Sequence, residues 1–128
     1  PEDAMYPSTQ VDSAGQALHG RHAYRLHFAA GQWPPVQAFW SVTAYGLDHF
    51  LIDHPAHRHA VGSLHPLVAN ADGSLDLLIQ AQPPQGQLLA NWLPVNPDAP
   101  FLLNARLYWP QQKALDGQWQ MPAVQRQP

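Results

Sequence analysis

The stretch that decides the fold is Pro100–Pro110, PFLLNARLYWP. In steps of two, Phe101, Leu103, Ala105, Leu107 and Trp109 lie on one side, all apolar. Leu102, Asn104, Arg106 and Tyr108 lie on the other, three of them able to hydrogen-bond. Successive side chains of a strand point to opposite sides, so this pattern predicts a strand with one face in a core. Nine residues in that conformation span roughly 30 Å, and the flanking prolines are suitable stops. The polar face of the same strand is the first place to seek a binding site.

Two other segments alternate in the same way. His22, Tyr24, Leu26 and Phe28 are opposed by Ala23, Arg25 and His27; Val36, Ala38, Trp40, Val42 and Ala44 are opposed by Gln37, Phe39, Ser41, Thr43 and Tyr45. A short return strand is expected at His49–Ile52, another at Ser8–Asp12, and a longer one through Leu75, Leu77, Ile79 and Ala81 after the Ala71–Ser74 turn. Pro83–Pro100 has no regular period but carries Leu88, Leu89, Trp92 and Leu93, which predicts an ordered, packed loop. Pro110 opens a short helix over Gln111–Leu115 that Asp116-Gly117 ends, and Trp119–Val124 is expected to return as a terminal strand. Short strands without βαβ alternation give an all-β fold: an antiparallel two-sheet sandwich or jelly roll with one short C-terminal helix. No internal repeat or boundary divides residues 1–128, so one domain is expected, with residues 1–8 as an approach segment on which Met5 and Tyr6 dock.

Composition narrows the function. The 128 residues are 45% apolar but only 12% charged, about half the usual share, so much of the chain sits against a core or a partner. Fourteen prolines and eight glycines disfavour long helices. A net charge of −3 with one lysine, Lys113, gives no footprint for nucleic acid or an anionic membrane. The absence of cysteine excludes disulfides, thiolate metal sites and cysteine nucleophiles. No run approaches the roughly 18–20 apolar residues of a membrane span. The chain begins at Pro1 without an initiator methionine, so it is expected to be processed, trimmed or excised from something longer, and any signal, anchor or neighbouring domain would lie in the missing part.

Several segments together resemble the bacterial family called domain of unknown function 1214: YRLHF at Tyr24–Phe28, PPVQAFWSVTAY at Pro34–Tyr45, NADGSL at Asn70–Leu75, NWLP at Asn91–Pro94, RLYWP at Arg106–Pro110 and ALDG at Ala114–Gly117. The resemblance covers nearly the whole chain in order and spacing. It implies a jelly-roll domain that is often the partner of a second uncharacterised domain, numbered 1254, and it points to the periplasm or cell envelope. It brings no substrate and no catalytic residues. The chain departs from the family pattern at His54–Gly62, where Pro55, Arg58 and Gly62 fit and His54, His57 and His59 do not.

Those histidines form one candidate site. On extended backbone His57 and His59 point to one side and can share a divalent metal, with His54 or His65 completing the set. No carboxylate follows His59 closely, and the alternative is a solvated loop of incidental histidines. Asp12, Asp72 and Asp116 lie in turn contexts, and Asp48 and Asp53, which bracket the expected His49–Ile52 strand, are the candidates for a carboxylate pair; Gly-x-Ser-x-Gly and phosphate-loop motifs are absent, and nothing visibly activates a nucleophile. The more coherent set is Asn104, Arg106 and Tyr108 with Arg25, His27, Ser41, Thr43 and Tyr45, a polar sheet face suited to an oxygen-rich ligand such as a sugar or carboxylate. The competing account is a solvated outer face in which Arg106 pairs with Asp48 or Asp53. Trp40 and Trp109 are expected in the core; Trp92 either plugs one end of the sandwich or walls a pocket, and Trp33 is a docking candidate. The reading is therefore a non-catalytic ligand-binding or protein-interaction module with no cofactor, in which Arg106, Tyr108, Asn104, Arg58 and Trp92 form the site. The alternative is a metal-dependent enzyme built on the histidine cluster.

Overall fold

In the computed structural model, which describes residues 4–128, two β-sheets close on one apolar core. The strands are β1 (Ala4–Met5), β2 (Ser8–Thr9), β3 (Tyr24–Phe28), β4 (Val36–Gly46), β5 (Ala60–Gly62), β6 (Leu75–Ile79), β7 (Trp92–Leu93), β8 (Phe101–Pro110) and β9 (Gln125–Arg126). A 3-10 turn occupies Gly86–Asn91, and a short helix, α1, occupies Gln112–Leu115. The first sheet runs β1–β8–β4–β5, with β2 also on β8; the second runs β7–β6–β3–β9. The fold is an all-β sandwich, as the alternation predicted. One pair departs from the antiparallel expectation, since β7 lies parallel to β6.

The alternating residues meet between the sheets. Tyr24, Leu26 and Phe28 face Trp40, Val42, Ala44, Leu103, Ala105 and Leu107, and all are buried. Phe28 packs on Trp40 with ring centres 5.6 Å apart, and Tyr24 meets Phe101 edge-on at 5.7 Å, so aromatic pairs join the two layers. The N-terminal segment lines the free edge of β8, pairing at Ala4–Tyr108, Met5–Leu107, Ser8–Asn104 and Thr9–Leu103. Pro7 has no N–H to give the ladder, but its carbonyl accepts the Ala105 N–H at 2.8 Å. Met5 docks on the core, while Tyr6 points out; residues 1–3 of the expected approach segment lie outside the described residues.

Four local expectations are corrected. Trp109 is 62% exposed instead of buried, because Gln37 and Ala38 on β4 oppose Trp109 alone on β8. That bulge, with Trp109 in the left-handed region at φ 57°, breaks the two-residue alternation. His49–Ile52 is not a strand; Leu51 makes an isolated bridge to Tyr45. Trp119–Val124 is irregular, and the terminal strand starts later, at Gln125. His22 and Ala23 precede β3 instead of belonging to it.

The long 83–100 connection is ordered. Asn91, with no exposed surface, accepts the Val68 N–H and donates to the carbonyls of Val68 and Asp76. Among the described residues, no helix is long and apolar enough to cross a membrane.

Candidate functional site

The outward face of the first sheet is set by β4–β8 pairing. Asn104 stands opposite Thr43, Arg106 opposite Ser41 and Tyr108 opposite Phe39. Ser8 flanks Asn104 from the other side. At one end of this face a cleft of about 430 Å³ is walled by Ser8, Gln10, Asn104, Arg106, Tyr45 and the exposed His49, over a floor at Leu102. Arg106 Nη2 donates to the Tyr45 hydroxyl at 2.8 Å. That oxygen keeps its own hydrogen, so the pair offers a hydroxyl donor beside the remaining guanidinium N–H groups. Arg106 does not pair with Asp48 or Asp53 here: Asp48 instead accepts the Phe50 N–H in its own turn.

Among the described residues, no carboxylate lines the cleft, and Arg106 supplies its fixed charge. Around that charge stand two primary amides, two hydroxyls and an imidazole, all able to hydrogen-bond to a ligand. His49 is placed by the turn after β4, where its N–H donates to the Gly46 carbonyl and its φ is 68°. A guanidinium among hydroxyls and amides has the chemistry to hydrogen-bond an anion that carries hydroxyl groups.

At the other end of the face, Phe39 and Tyr108 pack with ring centres 4.5 Å apart and 33° between planes. Tyr6 meets Tyr108 edge-on at 6.3 Å. Together they make an aromatic shelf.

The expected site residues therefore divide. Asn104 and Arg106 share the cleft, and Tyr108 belongs to the adjoining shelf. Arg25 and His27 do not join them, because β3 belongs to the second sheet; there His27 Nδ1 lies 2.6 Å and Arg25 Nε 3.9 Å from Asp76. Arg58 donates to the carbonyls of Leu89 and Trp92 at 2.8 and 3.0 Å, fastening the end of the 3-10 turn. Trp92 is buried, its indole N–H donating to the Gln80 carbonyl. Neither lines the cleft. Trp33 packs against the core, its indole N–H on the Gly73 carbonyl.

The histidines are spoken for differently. His54 Nδ1 accepts the Ala56 N–H, which puts the proton on Nε2 to donate to the Ala81 carbonyl. His65 Nδ1 accepts the Gly62 N–H. His57 has φ 53°, so His57-Arg58-His59 is not the extended run that would align its two rings. Among the described residues, no group of three histidines or carboxylates is placed to hold a metal ion.

Ser8, Gln10 and His49 were not singled out as site residues in the sequence. The pairing of β2 with β8 brings the first into the cleft, and no local pattern announces it.

The model of the family described as protein of unknown function, DUF1214, matches residues 3–112. The chain belongs to that family. As a solved structure, this DUF1214 chain is similar to the VPA0106 protein of Vibrio parahaemolyticus, with 32% identity and a TM-score of 0.86 over 100% of this chain. It covers only 31% of that protein. A putative uncharacterised protein from Burkholderia cenocepacia shares the fold, with 20% identity and a TM-score of 0.54 over 98% of this chain and 29% of its own. No curated protein matches the DUF1214 chain.

Proposed function

We propose that this domain is a non-catalytic binding module whose cleft takes a small, hydroxylated ligand carrying a carboxylate, with a sugar acid as the type. The observation that supports it is the guanidinium of Arg106, held by the Tyr45 hydroxyl in a cleft whose other polar walls are amides, a hydroxyl and an imidazole. The fork of an arginine matches the two oxygens of a carboxylate, and the amides of Asn104 and Gln10 suit ring hydroxyls. Calorimetric titration with D-galacturonate and D-galactose tests this reading. Binding of the acid alone, lost in Arg106→Gln, is the expected result. Equal binding of both sugars, or of neither, overturns it.

A second reading rests on a different surface. The turn after β4 exposes Leu47, Phe50 (72% exposed) and Leu51 around a cleft of about 410 Å³. Apolar side chains grouped in this way suit a protein partner, and the Vibrio relative is about three times as long as this chain. The partner proposed is a domain of the 1254 family, in an envelope-associated protein. Co-purification of the two domains, abolished by Phe50→Ser, supports this; migration as separate species overturns it.

A further inference from the structure

We infer that the ligand of the first-sheet face is an oligosaccharide, an acidic glycan at least two rings long, with its carboxylate at Arg106 and a neighbouring ring stacked on the Phe39–Tyr108 shelf. The inference rests on the cleft reading above and extends it along the sheet.

Two residues of β8 carry the continuity. Arg106 and Tyr108 are alternate residues of one strand, so both stand on its outer face, as do their partners Ser41 and Phe39 on β4. The Arg106 guanidinium leans toward Tyr45, whose own cross-strand partner is Leu102, and so away from Tyr108. From Asn104, beside the charge, to Tyr108 is four residues, roughly 13 Å along the strand. A single pyranose is too short to occupy both places, whereas two or more linked rings reach.

The shelf has the chemistry for the second ring. Phe39 and Tyr108 lie 4.5 Å apart with their planes 33° from parallel, and Tyr6, 57% exposed, stands edge-on beside them. The apolar C–H face of a pyranose packs on such rings while its hydroxyls stay in water. Arg106 supplies the charge complementarity that selects an acidic chain over a neutral one.

The test compares chain lengths. Isothermal titration of the described domain uses D-galacturonate, its (1→4)-linked tetramer and a neutral gluco-tetraose, with native, Tyr108→Leu and Phe39→Leu proteins. The tetramer is expected to bind about tenfold more tightly than the monomer, and either leucine variant to remove that gain. Two shelf variants, each checked by its melting curve, separate a lost contact from a lost fold. Monomer and tetramer binding alike, with no effect of Tyr108→Leu or Phe39→Leu, overturns the extended site and leaves the cleft reading standing. Neutral tetraose binding as well as the acidic one overturns the role given to Arg106. No binding of either acid overturns both proposals.

Discussion

The side chains of Arg106 and Tyr45 meet at 2.8 Å although 61 residues separate them in sequence. The contact crosses from β8 to the end of β4, and it fixes a flexible guanidinium on a surface where arginine usually moves freely.

Removing the anchor should be milder than removing the charge. Tyr45→Phe keeps the ring and loses the acceptor, so D-galacturonate affinity should fall about three- to tenfold. Arg106→Gln should abolish measurable binding. Both side chains are only half-buried, and each melting midpoint should stay within about 2 °C of the native value. A large drop in the midpoint of Arg106→Gln would assign that residue to the fold instead.

Asn91 is the most exacting polar residue of the core. It is fully buried and its amide satisfies three backbone groups, so Asn91→Ala strands the Val68 N–H and the Val68 and Asp76 carbonyls. The expected loss is about 3 kcal/mol, or about 10 °C in the thermal midpoint. Asn91→Asp should be no better at neutral pH, because it faces two carbonyl oxygens with a carboxylate. Denaturant unfolding of both variants checks the ranking.

Two glycines should respond very differently to an added methyl group. At Gly20 a Cβ would lie 1.7 Å from the Asn96 carbonyl oxygen, a backbone atom that cannot step aside. Gly20→Ala should therefore lose more than about 3 kcal/mol or fail to fold. Around Gly15 there is open space, and only its φ of 80° resists a side chain, so Gly15→Ala should cost about 1 kcal/mol. Comparable midpoints for the two variants would contradict the packing described at Gly20.

Asp72 makes part of the stability acid-sensitive. Its carboxylate accepts the Ser74 hydroxyl at 2.6 Å and the Ser74 N–H at 2.9 Å, and these bonds, the hydroxyl first, hold its pKa below the ordinary aspartate value. A depressed folded-state pKa contributes stability that is complete above the unfolded value and is lost as pH falls through the folded one. The stability difference between the native protein and Asp72→Asn should therefore be largest at neutral pH and shrink below about pH 4. A difference independent of pH would remove the carboxylate from the account of this turn.

The alternation of β3, β4 and β8 is local, and the sequence by itself therefore determined which face of each strand enters the core. It likewise determined the turn at Ala71–Ser74, the short helix before Gly117 and the family. Trp109 escaped because a bulge is a property of two paired strands: nothing in RLYWP shows that Gln37 and Ala38 will face it together. Only the tertiary structure decided which polar faces are shared. Arg25 and His27 alternate as cleanly as Arg106 and Tyr108, yet they belong to the other sheet and meet Asp76. Period-two alternation marks inside from outside for each strand separately. The neighbour of a strand is chosen by packing over the whole core, and that choice set Arg106 beside Tyr45, Asn104 and Ser8.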